Sequence, residues 1–135
     1  MNVQCAEKIL ICTHGKFGEE LKRSAEMIAG SMDKVETFSL LPGMDPEIYA
    51  GEIKNALENC PAAICLVDLI GGTPFNVTLQ LSATYPITVL TGLNMTMLLQ
   101  TYEDMDEVSY EDLPGQVMNE FHDSGKIISL RGAPT

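Results

Sequence analysis

The feature that most constrains this chain is an alternation along its length. Short apolar runs rich in β-branched residues are separated by stretches in which apolar residues return every three or four positions. Lys8 to Thr13 (KILICT), Val35 to Leu40, Ala62 to Asp68 and Pro86 to Leu90 read as strands. The first and third are apolar at consecutive positions rather than at every second one, the mark of strands covered on both faces. Between the first two, Lys16 to Ile28 places Phe17, Leu21, Ala25 and Ile28 on one helical face, and Gly30 supplies a stop. Asp45 and Pro46 open a second helix, through Leu57, as cap and first helical residue. Thr73-Pro74 repeats that start for a helix to about Ala83, and Asn94 caps a fourth to about Tyr102. Ser109 and Asp112 are spaced as a capping box for a last helix, with Pro114 confined to its first turn. Lys126 to Leu130 reads as a final short strand and 131–135 as a frayed tail.

This order predicts an α/β fold: a doubly wound, mainly parallel four-stranded sheet with helices on both faces. At 135 residues the expectation is a single domain, 1–135, that buries roughly two-thirds of its unfolded surface without a disulfide or metal. Eight Lys and Arg against nineteen Asp and Glu give a net charge of −11, which disfavours nucleic acid as a partner. The apolar runs are too short to span a bilayer, and MNVQCAEK carries no leader pattern, so a cytoplasmic protein is expected. The four cysteines, Cys5, Cys12, Cys60 and Cys65, form no CxxC pair and no metal-ligand spacing, and read as reduced structural thiols.

In doubly wound sheets, ligands bind outside the carboxyl ends of the strands, where strand order reverses. The first strand ends at His14 and the third at Asp68, so neighbouring placement of these strands puts both side chains on one rim. After Asp68 the chain reads LIGGTPFN. Gly71 and Gly72 permit close approach and unusual dihedrals, and Thr73 is expected to cap the next helix and offer a hydroxyl. The helix amides and dipole then favour a phosphate at that end. A neutral imidazole is nucleophilic near pH 7, and a carboxylate on one ring nitrogen fixes the tautomer that leaves the other lone pair outward. Singly, each element has an ordinary explanation: a hydrogen-bonded histidine, a turn-forming aspartate, a tight strand-to-helix connection. Their convergence on one rim points to phosphoryl transfer. His122, near a helix end, reads as a solvated residue complementing the helix dipole.

On ILICTHGKFGEELKRSAEMIAG, LLPGMDPE, LVDLIGGTPFN and LTGLNMTMLLQ, the chain resembles the mannose-family IIA domain of the bacterial phosphoenolpyruvate-dependent sugar phosphotransferase system. The resemblance implies phosphorylation at His14, an orienting role for Asp68 and a hydroxyl ligand at Thr73. It implies a donor, the histidine-containing phosphocarrier protein; an acceptor, a IIB component; and, beyond it, the IIC/IID membrane permease. It further implies a homodimer that exchanges a C-terminal edge strand, which suits Lys126 to Leu130; no cofactor is expected, and neither is the fused IIB domain that some relatives carry. Thr96 stands where many relatives have proline after Gly-x-Asn, a departure in that loop and not in the chemistry, and Gly18 replaces a common alanine, which is expected to weaken the first turn of the first helix slightly. Two alternatives remain: the related carrier domain serving dihydroxyacetone kinase, and a flavodoxin-like module binding a phosphate ligand. The second is disfavoured by the absence of Trp and by having only four Tyr and four Phe, none clearly flanking the GGTP turn. A cysteine phosphatase built on Cys12 needs an arginine six residues on, and position 18 is glycine.

Overall fold

Consecutive apolar residues on a strand need cover on both faces, and a computed structural model, which describes residues 4–131, supplies it. In chain order the elements are β1 (Lys8–His14), α1 (Phe17–Ala29), β2 (Val35–Leu40), α2 (Pro46–Leu57), β3 (Ala63–Val67), α3 (Thr73–Leu81), β4 (Ile87–Thr91), α4 (Met95–Asp104) and α5 (Leu113–His122). The four strands form a parallel sheet in the order β2-β1-β3-β4, as the doubly wound reading requires. Order reverses between β1 and β3, which run side by side with Cys12 opposite Val67.

Alternate side chains of each strand enter different layers. Ile9 and Ile11 of β1 join Ile64, Leu66, Ala25, Met97, Leu98 and Val117 under α1, α4 and α5. Leu10 and Cys12 point the other way, into a layer with Cys65, Val67, Tyr49, Ile53 and Leu57 under α2 and α3. Burying one such aliphatic side chain contributes about 1.5–3 kcal/mol, so the two layers hold the sheet's register as well as its stability. No helix among the described residues is long and apolar enough to cross a membrane.

Several helix starts follow the sequence closely. Asp45 Oδ1 accepts from the Glu47 amide at 2.9 Å with Pro46 in the first turn, and Asn94 Oδ1 accepts from Met97 at 2.8 Å. Gly30, with φ at +81°, ends α1 as expected. Others differ. Gly72, not Thr73, is the N-cap of α3; Thr73 is already helical, and no side chain caps the helix. Of the expected Ser109–Asp112 box only the serine half forms, and it lies ahead of the start of α5. The Ser109 hydroxyl accepts from the Asp112 amide at 3.2 Å, closing a turn ahead of a helix that begins only at Leu113. Gly18 is a packing requirement rather than a weak point. A Cβ there would lie 2.7 Å from Cγ2 of Ile11, which is fully buried, so the gain in helix propensity from alanine would be opposed by overpacking.

Lys126 to Leu130 forms no strand within the single chain, and Ile127, Ile128 and Leu130 are 88%, 77% and 106% exposed. Of the expected tail at 131–135, Arg131 is exposed and the rest lies outside the described residues.

Candidate functional site

The parallel pairing of β1 with β3 continues past the last ladder position through a side chain. The His14 backbone N–H donates to Asp68 Oδ2 at 2.8 Å, and His14 Nδ1 lies 2.9 Å from the same oxygen. Asp68 Oδ1 accepts from the Leu69 amide at 3.1 Å. The aspartate is therefore both a turn-former and a histidine partner, using one oxygen for each task. An ionised carboxylate only accepts, so the proton of this hydrogen bond belongs to Nδ1 and the lone pair to Nε2. Asp68 is 10% exposed at the side chain whereas the imidazole is 47% exposed: the carboxylate is held in the rim and the ring faces out.

Gly72 lies against that ring. With φ at +82° and ψ at 171°, its backbone occupies a region that is essentially restricted to glycine, and a Cβ would sit 2.9 Å from His14 Cε1 and 3.0 Å from Nε2. Gly71 has φ at +89° with open space where its Cβ would be, so its need for glycine is conformational alone. The first-turn amides of α3 have no intrahelical acceptor, and Pro74 has no amide to offer, which leaves those of Thr73 and Phe75 at this end of the helix. Thr73 and His14 together border a cleft of about 370 Å³ whose other wall is the loop Leu40 to Met44. The imidazole is the one aromatic ring in its lining, which holds no Phe, Tyr or Trp.

All five residues singled out in the sequence thus fall around one rim: His14, Asp68, Gly71, Gly72 and Thr73. Two others shape it without having been singled out for that role. Thr13, fully buried, accepts from the Gly18 amide at 3.0 Å and donates to the Gly15 carbonyl at 3.2 Å. Leu40 of β2 accepts from the Gly15 amide at 2.8 Å. The signal for Thr13 was a hydroxyl within an otherwise apolar run, next to the histidine. His122 is exposed at the end of α5 with its ring edge-on to Phe121, at 5.7 Å between centroids, in keeping with a solvated residue. Cys12 lies within β1, fully buried, and burial holds its thiol well above the ordinary cysteine range, which leaves it protonated and removes the nucleophile a phosphatase needs. Among the described residues, no three His, Cys, Asp or Glu side chains group as a metal site.

Fold and rim define a class: doubly wound α/β domains with a histidine–carboxylate pair at the switch point. Within it, a family model described as the PTS system fructose IIA component matches residues 8–118. The mannose-specific EIIAB component of Escherichia coli K12 is 31% identical over 111 residues, which cover 78% of this chain and 34% of that protein's length. The fructose-specific EIIA component of Bacillus subtilis 168 is 27% identical over 109 residues, 78% of this chain and 75% of its own. A phosphotransferase system EIIA component from Streptococcus agalactiae superposes with a TM-score of 0.86 at 31% identity, covering 89% of this chain and 95% of that one. The chain belongs to the mannose-family IIA domains of the sugar phosphotransferase system.

Proposed function

We propose that this chain is a cytoplasmic phosphoryl carrier in sugar uptake. His14 Nε2 takes a phosphoryl group from the phosphohistidine of the histidine-containing phosphocarrier protein and passes it to a IIB component, upstream of a IIC/IID permease. The observation that carries this reading is the double bond count on one oxygen: Asp68 Oδ2 holds both the backbone N–H and the Nδ1 of His14. Backbone and ring are thereby fixed to one anchor, and Nε2 is left with its lone pair toward solvent. In the transfer this lone pair forms the new N–P bond while the donor's N–P bond breaks, its electron pair returning to the donor imidazole. As Nε2 becomes bonded to phosphorus the ring gains positive charge, which the Asp68 carboxylate offsets. The incoming phosphoryl oxygens meet the Thr73 hydroxyl and the amides of the α3 turn, where fixed donors and the helix dipole stabilise spread negative charge.

The test is reconstitution with labelled phosphoenolpyruvate, enzyme I and the phosphocarrier protein, followed by peptide mapping. The label is expected on the peptide containing His14, acid-labile and base-stable as a phosphoramidate is. Mapping to His122, or no label on the chain, would overturn the assignment.

The same reading includes a homodimer made by exchange of the C-terminal segment. β4 and β2 are the two sheet edges, and the Lys126–Leu130 segment carries three exposed aliphatic side chains. Pairing that segment with an edge of a second copy satisfies open backbone groups and covers those side chains together. Deleting residues from Lys126 onward is expected to convert dimers to monomers or aggregates in multi-angle light scattering. A truncated chain that stays dimeric moves the interface elsewhere.

A further inference from the structure

We propose that Thr13 is a positioning residue for phosphoryl transfer, acting through the turn that carries His14; the proposal rests on the reading of His14 as the phosphoryl acceptor. Thr13 is the last residue of β1 before the histidine and has no exposed surface. Its hydroxyl bridges the turn on the far side of His14. It donates to the carbonyl of Gly15 at 3.2 Å and accepts from the amide of Gly18 at 3.0 Å. The helix that follows has no other side-chain cap, because Lys16 at its N-cap position makes no such bond. Gly18 N–H is a first-turn amide without an intrahelical acceptor, and the bond it makes is buried.

The hydroxyl is seated closely. A Cβ on Gly18 would come within 3.2 Å of both Thr13 Oγ1 and Thr13 Cγ2, so the glycine is what lets the threonine approach. The remaining handles on the turn are also taken: His14 N–H by Asp68, and Gly15 N–H by the Leu40 carbonyl. Chain direction changes from strand to helix within Gly15 and Lys16, and His14 is the strand residue immediately before that turn. If the bond across positions 15 and 18 is lost, the bend is free to relax. The Cα of His14 then shifts relative to Asp68, and the 2.9 Å contact that selects the Nδ1–H tautomer loosens. Thr13 touches neither the reacting nitrogen nor the phosphoryl group in this scheme; it sets where the ring stands.

The full chain is tested as Thr13→Val and Thr13→Ser. Valine keeps the shape and removes the hydroxyl; serine keeps the hydroxyl and loses the methyl. With charged phosphocarrier protein as donor, the single-turnover rate at saturating donor is expected to fall about 10- to 100-fold in Thr13→Val, the scale of a small misplacement of a reacting group. The donor concentration for half-maximal rate stays within about 3-fold, because no contact with the partner is removed, and Thr13→Ser recovers most of the rate. Where Thr13→Val does not fold, Thr13→Ala serves in its place with the same expectation. In ¹⁵N-histidine spectra of the unphosphorylated chain, wild type and Thr13→Ser are expected to show His14 as a single Nδ1–H tautomer and Thr13→Val a mixture. A folded Thr13→Val or Thr13→Ala with native rate and a single tautomer overturns the proposal. So does a Thr13→Ser as slow as Thr13→Val, which would assign the effect to methyl packing. The spectra need no donor, so a wild-type chain that takes no label fails the carrier reading while the tautomer comparison still decides the role of Thr13.

Discussion

Asp68→Asn is expected to slow phosphoryl acceptance by about 100-fold or more, the scale set by a wrong imidazole tautomer or a misplaced reacting group. The geometry makes asparagine a poor substitute in either orientation. Oδ2 accepts from two donors of His14, and Oδ1 accepts from the Leu69 amide. Three donors thus converge on two acceptor oxygens. An asparagine that points its oxygen at His14 turns its NH₂ toward the Leu69 amide, donor against donor. Flipped, it points NH₂ at the His14 backbone N–H and draws the imidazole into the tautomer with the proton on Nε2, where it blocks attack. Leaving one donor unsatisfied costs about 1–3 kcal/mol, so a moderate drop in stability accompanies the kinetic loss without unfolding the chain. Quench-flow transfer from charged phosphocarrier protein, with thermal melts alongside, checks both effects. Near-native transfer by the asparagine variant would reduce Asp68 to a turn-former and leave His14 without an oriented lone pair.

Gly72→Ala is expected to block transfer by at least about 100-fold, for a reason that Gly71→Ala does not share. Both glycines have positive φ, and alanine at either position carries backbone strain of about 1–3 kcal/mol. Only at Gly72 does the new methyl meet the imidazole, 2.9 Å from Cε1 and 3.0 Å from Nε2. The ring must swing away from Asp68, or the methyl must cover the nucleophilic nitrogen; both prevent an in-line approach of phosphorus. Comparable melting temperatures for the two alanine variants, with transfer lost in Gly72→Ala and largely kept in Gly71→Ala, is the expected pair of results. Equal losses of activity would mean that the turn's conformation, and not contact with the ring, is what matters.

Layer order and most element boundaries were legible because they depend on local pattern: both cap residues Asp45 and Asn94 do in the structure what their side chains suggest. His14 and Asp68 were legible as a pair because each ends a strand and the fold places those strands side by side. What sequence could not convey was contact. Thr73-Pro74 resembles a cap followed by a first-turn proline, yet proline is equally at home one position later, and the glycine geometry at position 72 moves the helix start back. Gly18 looked like lost helix propensity because its neighbour Ile11 is distant in the chain's local pattern and touches it only once α1 lies on the sheet. The Ser109–Asp112 spacing fits a capping box, and the serine does accept from the Asp112 amide, but the same bond can close a turn, and here it does so ahead of Leu113. Lys126 to Leu130 has strand composition without strand pairing, a state no propensity distinguishes from a strand.

The parallel register of β1 and β3 has a consequence for what phosphorylation reports. His14 and Asp68 are 54 positions apart, and they meet because the register that pairs Cys12 with Val67 sets Asp68 opposite Thr13, one residue from the histidine. A slip of one residue would turn every side chain of a strand to the opposite face and carry the histidine away from its carboxylate. Helices on either side could persist through such a slip with their helical content unchanged. On the proposed carrier role, uptake of a phosphoryl group at His14 is therefore expected to double as a proofreading signal for the sheet: a misregistered chain would take no label from the donor, however much secondary structure it retained.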